Sequence, residues 1–306
     1  MTLHHYFAHG LQIASELACP ELRPMPATDQ PPDVLIRLGE TPPALENPTR
    51  QSVLYQAKPQ HFLFKLDGIA HYWVYAGREI VIQPAAASSD AEIRLFMLGT
   101  AFAALLQQRG YFILHGSAVV TPQGAAVFVG PSGSGKSTLA AALLQQCYRL
   151  LCDDVTTIHF DAQGRPQVYP TSTQVKLWAD SSEKLMVDTT GMQRVRPQLE
   201  KYAIPQPVAC DREPVPLTAI YALTRSNAPE ITLEVIGGSK KIKTLTDQIY
   251  RAQFTVGLGV RAAHLQQALQ IANQCRLYTV QRPATHFLLD ELVAGIEQTW
   301  VEDAHG

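Results

Sequence analysis

Residues 125–154 read AAVFVGPSGSGKSTLAAALLQQCYRLLCDD. Ala125 to Val129 is a short apolar run, the pattern of a buried strand. Gly130 to Thr138 then satisfies G-x-x-x-x-G-K-[ST], and a helix is expected from Lys136 to Gln146, with Leu139, Leu143 and Cys147 on one side. A glycine-rich loop between strand and helix turns successive backbone N–H groups around an anion. The helix N-terminus adds a favourable dipole. Gly130, Ser132, Gly133, Ser134, Gly135, Lys136, Ser137 and Thr138 are therefore the expected nucleotide-binding residues. Lys136 would meet the β- and γ-phosphates, and the Ser137 hydroxyl would ligate Mg²⁺. ATP and Mg²⁺ are the expected cofactors; the choice between ATP and GTP stays open, because such a loop reads phosphates.

Asp153 and Asp154 close the apolar run Leu150 to Cys152, one helix and one strand after Lys136. An aspartate at such a strand end is the usual second anchor for Mg²⁺. Its neighbour can accept the proton of an attacking hydroxyl. His115-Gly116 lies in the preceding strand, Tyr111 to Val120. No LSGGQ-type signature and no N-K-x-D motif follows, which argues against transporter ATPases and guanine-nucleotide switches.

This order, His115-Gly116, then AAVFVGPSGSGKSTLA, then a helix, then YRLLCDD, resembles the catalytic domain of HPr kinase/phosphorylase and its relatives. The likeness spans about 45 residues, Leu114 to Val155. It implies an α/β fold, a P-loop HPr kinase-like catalytic domain with a β-rich N-terminal domain beside it. It also implies ATP-dependent phosphorylation of a serine hydroxyl. Carried over, Asp153 is the general base, Asp154 the Mg²⁺ partner, and His115 a neighbour that orients or tunes the base. The glycine signature E-V-R-G-x-G of true HPr kinases is absent. The layout is more similar to HPr kinase-like proteins of bacterial peptide-modification clusters, including lasso-peptide kinases that act on a precursor serine. HGLQIASELACPEL, QVKLWADS, LEKY and IYRAQ are looser matches to that group. The implied partner is a peptide or protein carrying an acceptor serine. A kinase of a small hydroxylated metabolite such as free serine, and a nucleotide-gated binding module, stay open as alternatives.

Working outward, residues 1–88 read as a β-rich domain and 89–306 as the catalytic domain. Tyr6 to Leu17, Asp33 to Leu38, His61 to Leu66, His71 to Tyr75 and Arg78 to Gln83 are strand-like, with Asp67-Gly68 at a turn. Ser89 or Asp90 caps a helix in which Ile93, Met97, Ala101 and Leu105 recur every four residues. Trp178 to Met186, Lys240 to Arg251, Arg261 to Cys275 and Phe287 to Trp300 look helical. The N-terminal domain serves packing or substrate recognition, the latter by strand addition at a sheet edge.

The chain has 306 residues, with 25 Lys+Arg against 27 Asp+Glu and a net charge of -2. That balance argues against nucleic acid as partner. No signal-peptide pattern and no long apolar stretch appears, so a cytoplasmic protein without a membrane partner is expected. The five cysteines form no CxxC and are expected as reduced thiols, with no zinc site. Nothing in the sequence sets the oligomeric state. Eleven basic residues fall between Lys176 and Arg251. Lys176, Lys201 and Arg251 stand beside aromatic residues there and form the expected phosphate or substrate clamp.

Overall fold

The computed structural model describes residues 3–171, 174–192, 200–205, 212–284 and 288–305. It is a mixed α/β chain in two compact units, residues 1–113 with 249–267, and residues 114–248 with 268–306. Among the described residues, no helix is long and apolar enough to cross a membrane. Cys19, Cys147, Cys152 and Cys275 are free thiols, and Cys210 lies outside the described residues.

The first unit is built on a nine-stranded sheet. Its centre is the run Leu11–Ser15, Val34–Leu38 and Glu79–Pro84, paired in parallel, and the flanking pairs are antiparallel. Tyr6 to Leu17 is two strands rather than one. His4–Ala8 and Leu11–Ser15 form a hairpin about His9 and Gly10, both with positive φ (57 and 75). That is the handedness a two-residue hairpin turn needs to match strand twist. Ala70–Tyr75 alternates buried and half-buried residues, and Tyr72, Val74, Ile80, Ile82 and Phe62 are fully buried. Both edges end in two-residue strands, Arg23–Pro24 and Arg50–Gln51. Short edges, one carrying a proline, discourage pairing with another chain.

Ser89 caps the following helix in a capping box with Glu92. Ile93, Met97, Ala101 and Leu105 are all buried, as their spacing predicts, although residues Met97–Ala101 form a π-helical turn. Tyr72 donates to the Ile93 carbonyl at 2.9 Å, and Gln108 bridges the Val74 carbonyl and the Gly77 N–H. These bonds tie the helix to the sheet before it. The compact unit accordingly takes in this helix and runs to residue 113, with residues 249–267 added, whereas the sequence reading sets a boundary at 88.

In the second unit, the P-loop strand Gly124–Val129 lies antiparallel to Phe112–Thr121 and parallel to Val215–Ser226. Val215–Ser226 is in turn parallel to Arg276–Pro283. Arg149–Cys152 pairs with Phe112–Thr121, which carries the two aspartates to the head of the P-loop helix Lys136–Gln145. Leu139 and Leu143 of that helix are buried against Phe128, Tyr221 and Ile296 in one core cluster. Cys147 is exposed, contrary to the helical pattern. The helix has already ended: Cys147 has φ 67, its N–H donates to the Leu144 carbonyl, and Tyr148 N–H donates to Leu143. This is a Schellman termination with cysteine at the usual glycine position. Trp178 ends the strand Gln174–Trp178 instead of starting a helix, and Ala179–Lys184 is the helix that follows. That strand pairs with Lys201–Pro205 as a separate two-stranded sheet. The helix expected from Lys240 to Arg251 spans Ser239–Asp247 only. In the last helix, Leu289–His305, the expected start at Phe287 lies outside the described residues.

Candidate active site

Strand pairing decides where the loop sits. Gly130 follows Val129 with φ 144, and a Cβ there would lie 2.3 Å from the Leu223 carbonyl oxygen of the neighbouring strand. No side chain fits such an approach. Gly130→Ala is expected to destabilise the fold by roughly 3 kcal/mol through backbone strain and overpacking. A thermal midpoint equal to the wild type would refute this reading of the loop. Gly135 has φ 103 and is the N-cap of the P-loop helix.

Lys136 is 7% exposed. Its Nζ donates to the carbonyls of Gly130 at 2.9 Å and Pro131 at 3.1 Å. Burial pulls its pKa down, against the opposing pull of Asp154 and Asp153. Ser137 Oγ donates to Asp153 Oδ1 at 2.9 Å, and Ser117 Oγ donates to the same oxygen at 2.7 Å. The backbone N–H of Lys176 donates to Asp153 Oδ2 at 2.8 Å. Asp153 is thus 6% exposed, with three donors on its two oxygens. Burial, and then the neighbouring Asp154 charge, push its pKa up.

Asp154 faces the other way. Its φ is 69, and its carboxylate meets Lys176 Nζ at 2.8 Å and Lys201 Nζ at 3.9 Å. Burial works to raise its pKa, but the ammonium groups of Lys176 and Lys201 outweigh burial and hold it below the usual carboxylate range. His115 Nδ1 lies 3.0 Å from the Asp154 carbonyl oxygen. A carbonyl only accepts, so Nδ1 carries the proton and Nε2 of the neutral ring is the acceptor. Burial, and then Lys136, lower the His115 pKa, which keeps the ring neutral at neutral pH.

These groups surround a cleft of 540 Å³. Of the residues named from the sequence, His115, Ser132, Gly133, Gly135, Lys136, Ser137, Thr138, Asp154, Lys176 and Lys201 line it. Gly130 and Ser134 are buried and shape the loop without lining the cleft. Asp153 also stays behind the wall. Thr138 Oγ1 donates to Ser181 Oγ at 3.0 Å, which ties the loop helix to the next wall. Arg251, the third member of the expected clamp, is not among the residues that line this cleft. It belongs to the first unit, where its guanidinium donates to Thr100 Oγ1 at 3.0 Å and lies 5.4 Å from the Tyr250 ring centre.

Several residues in or behind the cleft wall carry no motif; Ser117 is buried behind it, on Asp153. Ser117 stands two residues after His115, and the two-residue period of a strand puts both on one face. Arg225 and Arg282 come from the far ends of the two strands parallel to the P-loop strand. Trp178, 41% exposed, forms part of the wall, with Lys201 Nζ 5.9 Å from its ring centre. Among the described residues, no group of three or more His, Cys, Asp or Glu is arranged to hold a metal ion by itself.

No protein-family model matches the chain, and no curated protein does. Among solved structures, the chain is similar to the Hpr(Ser) kinase/phosphatase from Coxiella burnetii. The identity is 11%, the match covers 63% of this chain and 93% of that one, and the TM-score is 0.32. Sequence identity that low leaves the chemistry of the site to its own geometry.

Proposed function

We propose that the second unit is a Mg²⁺- and ATP-dependent phosphotransferase that moves the γ-phosphoryl group of ATP to the serine hydroxyl of a peptide or protein. One observation carries this reading: Ser137 of the P-loop is hydrogen-bonded to Asp153, while Asp154, Lys176 and Lys201 face the same cleft. A phosphate cradle with a carboxylate at its serine and a second carboxylate among lysines has the parts phosphoryl transfer requires.

The residues fit the metal. Ser137 Oγ, a hard oxygen donor, lines the cleft with the Asp153 carboxylate hydrogen-bonded behind it, and a magnesium site needs only one or two protein oxygens besides phosphate and water. When bound, magnesium would neutralise charge on the β- and γ-phosphates. The glycine cradle fits the triphosphate: positive φ at Gly133 and Gly135 frees the backbone to turn amides toward an anion.

The geometry favours the opposite division of labour from the one the resemblance implied. Asp153 already joins the metal-binding hydroxyl, and both its oxygens are occupied by donors. We assign it to the metal side. Asp154 stands in the cleft wall, so we assign it the acceptor proton. In the step, the serine O–H proton passes to an Asp154 oxygen and the serine oxygen bonds to the γ-phosphorus. The bond from that phosphorus to the β-γ bridging oxygen breaks, and ADP leaves. Lys176 and Lys201 counter the charge of the moving group. As they turn to it, Asp154 loses its cation partners and becomes a stronger base. His115 holds the Asp154 carbonyl through Nδ1–H and is a positioning residue.

The test is a product assay by mass spectrometry. The full chain is incubated with MgATP and either serine-containing peptides or free serine. A phosphopeptide is the expected product. Phosphorylation of free serine alone would make this a small-molecule kinase. Nucleotide binding with no product on any acceptor would leave a nucleotide-gated binding module.

A further inference from the structure

Three parallel strands end at the edge of the sheet that carries the P-loop: Gly124–Val129, Val215–Ser226 and Arg276–Pro283. Ligands of open α/β sheets sit at that carboxyl edge. Val129 is level with Ala222, and Arg225 is paired directly with Arg282. Two guanidinium groups therefore stand side by side just beyond the start of the loop. Such like charges repel unless acceptors hold them.

The acceptors are the loop's own carbonyls. Arg282 Nε donates to Ser134 O at 2.7 Å, and its Nη2 lies 3.4 Å from Gly133 O. Arg225 Nη2 donates to Gly133 O at 2.5 Å. The Arg282 side chain also lies 3.2 Å from where a Cβ of residue 135 would be, so the glycine there makes room for it. A trans peptide unit points its N–H opposite to its C=O. Holding Gly133 O sets the Ser134 N–H, which closes a turn on Pro131 O at 3.1 Å. Holding Ser134 O sets the Gly135 N–H, which is turned away from the arginine.

We propose that Arg282, seconded by Arg225, is a positioning residue for the nucleotide's phosphates: it draws the Ser134 carbonyl outward and so aims the Gly135 N–H into the cradle. This rests on the phosphate-binding reading of the loop. The arginines act through the backbone and make no contact with the nucleoside. Arg225 holds the turn on which that aim depends. The burial of Arg282, and then Arg225 beside it, depress its pKa.

The test compares wild type, Arg282→Ala, Arg282→Lys and Lys136→Met as full-length proteins. Calorimetry gives Kd for MgATP and for magnesium tripolyphosphate, and thermal midpoints are taken without ligand. Arg282→Ala is expected to weaken both probes equally, by about tenfold, the effect of losing a charge-assisted hydrogen bond. Arg282→Lys keeps one donor for Ser134 O and should recover most of the affinity. A wild-type Kd in Arg282→Ala, with Lys136→Met impaired, would overturn the inference and leave the loop reading standing. A loss for MgATP but not for tripolyphosphate would overturn it in favour of a nucleoside contact. If Arg282→Ala melts early, Arg282→Lys decides: full affinity at a wild-type midpoint supports the inference, and affinity as poor as that of Ala overturns it. A wild type that binds neither probe would remove the loop reading and the inference together.

Discussion

Asp154→Asn should bind MgATP within about threefold of wild type and lose phosphoryl transfer by about 100-fold or more, the usual range for a missing general base. Asn preserves shape but accepts no proton. It also leaves Lys176 and Lys201 without their carboxylate, so these cations remain available to phosphate and affinity is maintained. Asp153→Asn should behave differently. Its oxygen still accepts from Ser117 and Ser137, but the amide nitrogen replaces Oδ2 and meets the Lys176 N–H, donor against donor. The negative charge beside Ser137 is gone as well. This variant should lose the magnesium-dependent part of nucleotide affinity, by about tenfold or more, with transfer falling in step. Titrations with and without magnesium, paired with single-turnover transfer, separate the two variants. Should Asp153→Asn bind MgATP normally and lose transfer while Asp154→Asn transfers normally, the roles revert to the order implied by the resemblance.

The proposed exchange of roles turns on what is legible in the sequence and what is not. The phosphate loop needs a strand, glycines, a lysine and a serine within a few residues, so its chemistry is written contiguously from Ala125 to Leu139. The Asp153-Asp154 pair was visible for a similar reason, one helix and one strand later. Which carboxylate faces the cleft was not visible. Adjacent residues leave a strand end in different directions, and the positive φ of Asp154 turns its side chain toward Lys176 and Lys201. Arg225 and Arg282 stayed hidden because strand pairing, not spacing, brings them to the loop. Lys176 and Lys201 were found as cations beside aromatic residues, yet the antiparallel pair that carries them was missed. Arg251 matched the same local pattern and lies in the other unit. Local pattern therefore names residue types, and it places them only where the chemistry itself is local.

Lys136→Met should abolish ATP-dependent transfer and weaken MgATP binding by about 100-fold, while the free protein stays folded. Lys136 is buried, yet its stem carries the ammonium to the Gly130 and Pro131 carbonyls at the floor of the loop. Methionine replaces most of the stem volume, so packing is largely kept. What disappears is a cation in a partly desolvated cradle, where a charge acts more strongly on an anion than it does in water. Those two carbonyls lose their donor, a modest penalty beside the loss of a countercharge for a polyphosphate. Burial already opposes the charged form of Lys136, and Asp153 and Asp154 support it. A bound polyphosphate would add to that support, so the ammonium is most stable in the loaded site. Affinity should therefore fall as pH rises through the lysine pKa in the wild type, and that dependence should be missing in Lys136→Met. Normal transfer by a folded Lys136→Met would mean that the loop does not hold the reacting phosphates, and the phosphotransferase reading would fall with it. Loss of MgATP binding in this variant, in a protein whose wild type forms no product on any acceptor, would keep the phosphate loop and turn the function toward a nucleotide-gated module.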